Sequence, residues 1–249
     1  MSNKFRIGII GGMGPMAGVL LQKLIIEATP AAKDQDHIQV ICFTNPQIPD
    51  RTKSLEEDDG KKFIREIQSA GNLLVSIGCN LLVIPCHTAH TRLSEIRDGI
   101  PVPVLNMVTL GLDYVATHFG AGTRMGLCAT DGTIKEDVYR KAAQEYGLQL
   151  VIPADTCQRE VMRVIYDIKA GRVSNLNEAA PKITRQLKDN GAENGFLGCT
   201  ELSLYFDDFL AGGVPIVDPL RITAKYLVEI NQRDIVTTGN NYIPFDNRK

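Results

Sequence analysis

The chain repeats one pattern of short β-rich segments. The stretch "GIIGGMG" is echoed by "GLCATDG", "VIPCHT" by "FLGCTE", and "VPVLN" by "VPIVD". The separation is 113 residues between Cys86 and Cys199 and 112 residues between Val102 and Val214, so the offset hardly drifts. We interpret this repeat as an internal duplication of one structural unit.

Each repeat alternates strand candidates with longer segments of helical period. In "PMAGVLLQKLIIEATP", Pro15 suits the first turn of a helix, and Met16, Val19, Leu20 and Leu24 form the expected apolar face. Short apolar runs predict strands at 5–10, 38–44, 80–84, 102–105, 124–129, 148–152, 195–197 and 214–217. Alternation of this kind favours parallel α/β sheets.

The predicted fold is therefore α/β, with two similar Rossmann-like parallel-sheet domains related by a pseudo-twofold axis. We place the first domain at 1–105 plus 218–249 and the second at 106–217. Ligands of parallel α/β sheets bind beyond the carboxyl ends of the strands. The active site is therefore expected in the cleft between the two domains.

Charge and cysteine content narrow the classes of function. The 27 Lys and Arg residues nearly balance the 29 Asp and Glu residues, which argues against nucleic acid or an anionic membrane surface as a partner. The stretch "MSNKFRIGIIGGMGP" lacks the pattern of a signal peptide, and no apolar run reaches membrane-spanning length. Six cysteines without CxxC spacing predict free thiols. We expect a cytoplasmic protein with a small neutral or zwitterionic partner.

Two of the cysteines occupy equivalent chemical positions. Cys86 and Cys199 each follow the third strand of a repeat and precede a new helix, whose N-terminus favours the thiolate form. Two thiols on opposite sides of one cleft can invert an amino acid, because one removes the Cα proton while the other delivers a proton to the opposite face. The remaining cysteines lie inside or beside apolar runs and are interpreted as packed thiols: Cys42, Cys79, Cys128 and Cys157.

Four motifs carry a resemblance to a known family. The stretches "GIIGGMGP", "NPQIPDRT", "PCHTAH" and "LGCTEL" occur in this order over nearly the whole chain. Together they resemble the cofactor-independent aspartate/glutamate racemase family, and specifically its aspartate racemase branch. The resemblance implies a two-domain α/β protein, usually a homodimer, that uses Cys86 and Cys199 as acid and base without a cofactor.

The resemblance also implies the substrate contacts. Arg51 in "PDRT" and Lys169 in "DIKAG" are expected to hold the side-chain carboxylate of the substrate. The other expected substrate-binding residues lie near the reacting centre or beside the two cysteines, and those after Cys86 match the segment that holds the α-carboxylate: Met13, Asp50, His87, Thr88, Ala89, Thr130, Thr200 and Glu201.

Two features distinguish branches of this family. Glutamate racemases typically open with a DSGxGG stretch and carry His after the second Cys-Thr, where this chain has "GGMG" and Glu201. Aspartate is therefore the expected substrate. The usual Asn after the first cysteine is replaced by His87, which offers a titratable ring. Glutamate, a broader set of amino acids, maleate-type isomerisation of a dicarboxylate, and a catalytically inactive amino-acid-binding protein stay open as alternatives.

Two other types of site were weighed. Gly12, Gly14 and Ala17 match a dinucleotide fingerprint, but the next strand candidate does not end in the acidic residue that would bind the ribose. Cys86 and His87 are adjacent in sequence, a spacing that rarely suits one zinc ion even with His90 nearby. We therefore expect neither a cofactor nor a metal.

Overall fold

The computed structural model describes residues 5–232, and along this part of the chain strands and helices alternate. The strands are Ile7–Gly11 (β1), Val40–Thr44 (β2), Leu81–Val83 (β3), Arg124–Ala129 (β4), Gln149–Val151 (β5), Asn194–Gly198 (β6) and Ile216–Val217 (β7). The α-helices are Pro15–Ala28 (α1), Arg51–Asp58 (α2), Lys61–Ser76 (α3), Leu93–Asp98 (α4), Met107–Phe119 (α5), Asp131–Lys135 (α6), Val138–Glu145 (α7), Asp155–Lys169 (α8), Leu176–Asp189 (α9), Phe206–Leu210 (α10) and Pro219–Gln232 (α11). Within the described range, every helix is too short or too polar to cross a lipid bilayer.

The strands form two parallel sheets of the same order. The first sheet has the order β2-β1-β3 and the second the order β5-β4-β6-β7. All strand pairs are parallel, and Val104 extends the first sheet through a bridge to Leu82. The prediction of an α/β fold with two similar parallel sheets is therefore confirmed.

The fourth strand of the first repeat is shorter than predicted. The segment 102–105 forms one isolated bridge, in which Leu82 N donates to Pro103 O at 2.9 Å and Leu105 N donates to Leu82 O at 2.8 Å. Pro103 has no N–H, so the ladder cannot continue through it. The equivalent β7 is limited to two residues and begins just after Pro215.

The predicted apolar face of α1 was wrong in part. Met16 is 55% exposed and Val19 50% exposed, whereas Ala17 and Gly18 face the sheet. A Cβ added at Gly18 would lie 3.1 Å from the Cys42 sulfur, so the helix approaches the sheet most closely at its smallest residues. Leu24 is buried as predicted, but close packing against the sheet shifts the buried face to include Ala17, Gly18, Leu21 and Ile25.

The last described helix packs against the first repeat. Leu220 and Leu227 of α11 join the buried cluster that contains Ile7 and Leu21, and α11 lies along both α1 and α5. Because α11 packs against elements of both predicted domains, the domain boundaries stay a prediction. The part of the predicted first domain at 233–249 lies outside the described residues.

Candidate active site

Cys86 and Cys199 lie at the carboxyl ends of equivalent strands. Cys86 follows β3 after Ile84 and Pro85, and Cys199 follows β6 directly. The loops that carry them touch, because Thr200 Oγ1 donates a hydrogen bond to Pro85 O at 3.0 Å. Both thiols are almost completely buried, with exposures of 5% and 6%. The structure therefore places the two predicted loops in contact with each other, between the two halves of the chain that contain the first and the second sheet.

Further hydrogen bonds close this site from both halves. The hydroxyl oxygens of Thr88, Thr130 and Thr133 lie 3.0 Å from one another and form a buried triangle. Thr130 also caps α6 by accepting from Thr133 N, which fixes its rotamer. Gly14 N donates to Glu201 Oε1 at 3.0 Å, again from one half to the other. Backbone and side chains at the site are thus held in place from both sides.

The environment of Cys199 keeps its proton on sulfur. Its Sγ donates to Glu201 Oε2 at 3.0 Å. Burial raises the pKa of Cys199 well above its usual value, and the charge of Glu201 raises it further, while Lys169 opposes both effects. The pKa of Cys199 therefore moves against the expected effect of a helix N-terminus, because burial and Glu201 outweigh that of the short 3₁₀ segment that begins at Leu202.

Lys169 connects this thiol with a second carboxylate. Its Nζ lies 3.9 Å from Glu201 Oε1 and 3.7 Å from Asp50 Oδ2, and its side chain is 25% exposed. Burial acts to lower the pKa of Lys169, but the nearby acidic groups, Glu201 foremost, outweigh it and the pKa is raised. The ammonium ion is therefore held in its charged form, at the end of α8 and beside the reactive sulfur.

Arg51 has one buried side-chain nitrogen with no hydrogen-bond partner among residues 5–232. It is the first residue of α2, whose start is capped by Asp50 accepting from Lys53 N at 3.1 Å. Arg51 Nη1 donates to Pro49 O at 2.9 Å and to Ile48 O at 3.4 Å, but Nε is buried and unpaired among the described residues. Two backbone carbonyls therefore orient a guanidinium group that keeps a donor for a carboxylate.

The two histidines after Cys86 have different surroundings. His90 Nδ1 donates to Cys86 O at 2.8 Å, and its Nε2 accepts from Met107 N at 3.3 Å, so His90 is a structural support of the loop. His87 Nδ1 contacts the Tyr139 hydroxyl, and its Nε2 is buried without a partner in residues 5–232. Burial, the main cause, lowers the pKa of His87 to about 3 and that of His90 to about 4, so both rings are neutral.

The glycines of the fingerprint-like stretch have structural roles. Gly12 has φ of 104°, and a Cβ there would lie 2.2 Å from Asn45 O, so only glycine fits. The N–H of Gly14 is taken by Glu201. Met13, between them, lies in the buried cluster that also contains Cys86 and Ala89.

Sequence reasoning missed two side chains of this site. Thr133 completes the threonine triangle, and its position three residues after the helix cap at Thr130 was a usable local signal. Tyr139 reaches His87 from α7 of the other half, and nothing in its sequence surroundings marks that contact. Among the predicted site residues, Met13 follows β1 and Thr130 follows β4, and the rest lie on the two cysteine loops, at the start of α2, or at the end of α8.

Comparisons with known proteins agree with this geometry. The family model described as Asp/Glu/Hydantoin racemase matches residues 10–227. The broad specificity amino-acid racemase RacX of Bacillus subtilis is 26% identical over 89% of this chain and 96% of its own length. A glutamate racemase of Aquifex aeolicus is 30% identical over 89% of this chain and 82% of its own length.

A solved structure extends the likeness to three dimensions. Picrophilus torridus aspartate racemase superposes with a TM-score of 0.76 and 27% identity, over 91% of this chain and 94% of that one. Sequence, fold and family model thus point in the same direction. The chain belongs to the Asp/Glu/hydantoin racemase family and is an amino-acid racemase.

Proposed function

We propose that the chain interconverts L- and D-aspartate with Cys86 and Cys199 as the acid and base, and without pyridoxal phosphate or a metal. The observation that carries the proposal is the hydrogen bond from Cys199 to Glu201 in a loop held against the Cys86 loop. These contacts support a protonated thiol at Cys199 in a loop that touches the loop of the second buried cysteine, and two-base inversion requires such a pair to act on opposite faces of Cα.

The proton transfers balance within the cysteine pair. In the proposed cycle Cys86 accepts the Cα proton, and Cys199, whose raised pKa favours its thiol form, holds the proton to be delivered. Cys199 then donates its proton to the opposite face of the planar carbanion. The product leaves Cys86 as a thiol and Cys199 as a thiolate, a state that processes the other enantiomer and so restores the first. The pair is therefore expected to titrate as a coupled system.

An acidic side chain on the substrate fits the charges around the site. Arg51 keeps its buried Nε as a donor, and Lys169 carries a positive charge beside Glu201. We assign the side-chain carboxylate to these two cations, with Asp50 orienting Lys169. We assign the α-carboxylate to the segment from His87 to Ala89, and place Met13, Thr130, Thr200 and Glu201 around the reacting centre. The aspartate racemase among the similar structures supports this choice.

A broader amino-acid specificity is the second candidate. The relative RacX, whose name states a broad specificity, matches almost over its full length. Glutamate is included in this candidate because glutamate racemases are also similar to the chain.

We further propose a cytoplasmic homodimer. The six cysteines are free thiols, which agrees with a reducing compartment. Helix α1 exposes Met16, Val19 and Ile26, and these apolar side chains would be covered by a second copy. Sedimentation analysis at micromolar concentration tests the dimer, and a monomer under those conditions would contradict it.

Chiral chromatography of reaction products tests the proposed function. Purified protein without added cofactor is incubated separately with L-aspartate, L-glutamate, L-alanine, L-lysine and maleate. We expect D-aspartate as the main product, with the highest kcat/KM for aspartate and no fumarate from maleate. Comparable turnover of alanine or lysine would favour the broad-specificity candidate, and fumarate without D-amino acids would make the protein a dicarboxylate isomerase.

A further inference from the structure

Tyr139 makes a polar contact between the halves that the proposed proton transfers do not use. Its ring is buried in the apolar cluster of the second half and packs edge-on against Phe196, with ring centroids 5.1 Å apart. Its hydroxyl group lies at the edge of the ring and contacts Nδ1 of His87, the residue next to Cys86. A side chain of the second half therefore contacts the ring of the residue next to Cys86 in the first half.

Both partners of this contact are electrically neutral. The lowered pKa of His87, about 3, leaves its imidazole with a single N–H at neutral pH. Burial, the main cause, raises the pKa of Tyr139 well above its usual value. The phenol therefore keeps its proton. The hydroxyl oxygen of Tyr139 and the two ring nitrogens of His87 together carry two protons, one from each side chain.

The hydrogen bond decides where these protons are. Buried hydroxyl groups almost always donate to an acceptor. Within residues 5–232, the hydrogen-bond partner of the Tyr139 hydroxyl is His87 Nδ1. The phenol therefore donates to Nδ1, and the single imidazole proton is on Nε2.

The resulting Nε2–H is a buried donor with no acceptor from the described part of the chain. The backbone around His87 is held on both sides. The side chain of Thr88 is bound in the threonine triangle, and the carbonyl oxygen of Cys86 accepts a hydrogen bond from His90. The ring is 2% exposed, so bulk water does not satisfy this donor. A donor held in this way beside a reacting thiol is suited to an oxygen of the substrate.

We propose that Tyr139 is a positioning residue that holds His87 as the Nε2–H tautomer, so that this N–H donates to a carboxylate oxygen of the bound amino acid. The inference rests on the proposed racemase function for its substrate. The neutral ring adds a donor without adding a positive charge, so it binds the carboxylate without raising or lowering the charge around Cys86. Losing the phenol releases Nδ1 and lets the proton move between the two nitrogens.

The decisive experiment is Tyr139→Phe, which keeps the ring and its contact with Phe196 but removes the hydroxyl. Nitrogen-15 NMR of histidine-labelled protein reads the tautomer directly, with the His87 signals assigned by their loss in His87→Asn. In the unchanged protein we expect protonated Nε2 and unprotonated Nδ1 on His87. In Tyr139→Phe we expect a mixture of tautomers and a KM for aspartate raised about tenfold, with a smaller change in kcat.

Two controls separate positioning from a general loss of structure. Tyr114→Phe alters another tyrosine that stacks on a histidine, His118, with centroids 3.8 Å apart, and should leave the His87 signals and KM unchanged. In a His87→Asn background, Tyr139→Phe should no longer change KM, because no imidazole remains to be oriented.

The outcomes distinguish this inference from the proposed function. An Nδ1–H tautomer in the unchanged protein, or unaltered His87 signals and KM in Tyr139→Phe, would overturn the positioning role even if racemisation is normal. Normal Nε2–H signals in a protein that racemises no amino acid would overturn the proposed function, and with it the contact to substrate.

Discussion

Glu201 is the residue whose charge most directly affects a reacting thiol. Its Oε2 accepts a hydrogen bond from Cys199 Sγ at 3.0 Å. Burial raises the pKa of Cys199, and the charge of Glu201 raises it further. Glu201→Gln removes the negative charge, so the thiolate becomes less unfavourable and the pKa of Cys199 should fall. Alkylation of Cys199 by iodoacetamide, followed by mass spectrometry against pH, measures this shift. Glu193→Gln, an exposed carboxylate elsewhere, is the control. An unchanged alkylation profile in Glu201→Gln would contradict the account.

Arg51 tests the recognition of the acidic side chain. Its Nη1 is held by two backbone carbonyls, and its buried Nε keeps a donor for the substrate. In Arg51→Ala a buried carboxylate would lose its partner, so kcat/KM for aspartate should fall by about 100-fold. Values for alanine should change far less. Steady-state kinetics with both substrates measure the difference, and unchanged aspartate kinetics would remove Arg51 from the substrate contacts.

The sequence identified the residues whose roles are local. Cys86 and Cys199 were predictable because duplication marks strand ends twice, and strand ends of parallel sheets are where ligands bind. The contact between Tyr139 and His87, 52 residues apart in sequence, was not predictable because it depends on how the two repeated units pack together. The high pKa of Cys199 was also missed, since burial and Glu201 outweigh the dipole of a short helix.

At the level of elements, the two repeats start equivalent helices with different caps. Asn106 caps α5 by accepting from Val108 N at 3.0 Å, whereas Asp218 accepts from Leu220 N at 3.0 Å and from Ser203 Oγ at 2.8 Å. Burial raises the pKa of Asp218 to about 6. Its ionised form is therefore less stable in the folded chain than in the unfolded chain.

This difference predicts how stability depends on pH. Between about pH 4 and pH 6 the folded state binds more protons at Asp218 than the unfolded state, so this group lowers the free energy of unfolding as pH rises. Asp218→Asn introduces the amide that Asn106 provides in the other repeat. The variant should not show this decrease in the free energy of unfolding as pH rises. It should stabilise the protein at pH 7.5 by roughly 1–3 kcal/mol and by little at pH 4. Urea denaturation at both values measures the change, and equal effects at the two values would contradict the argument.

Element predictions succeeded where local chemistry decides them. The parallel strands were identified from short apolar runs, and Pro15 correctly marked the start of α1. The segment 102–105 was reduced to a bridge because Pro103 cannot donate, and the exposed Met16 and Val19 reflect a close approach to the sheet that periodicity does not contain. These errors concern sheet pairing and packing distance, which are tertiary properties.

For the whole molecule, duplication explains how one cleft acquires two chemically similar faces. Hydrogen bonds between the halves concentrate at the carboxyl ends of the two sheets, through Gly14 with Glu201, Thr88 with Thr130, and Thr200 with Pro85. Each half contributes one thiol to the same region. Inversion at Cα needs groups on opposite faces of the carbon, and in the proposed mechanism each copy of the repeated unit supplies one of them.

The most direct test of this account follows the Cα proton of aspartate in heavy water, with chiral analysis of the product. The unchanged protein should exchange this proton in both enantiomers and form the opposite one. Cys86→Ala and Cys199→Ala should each abolish racemisation, and each should retain exchange with one enantiomer at most, a different one for each variant. Cys79→Ala, which removes another buried thiol of the first half, should behave like the unchanged protein. Near-normal racemisation in either active-site variant would contradict the two-thiol mechanism.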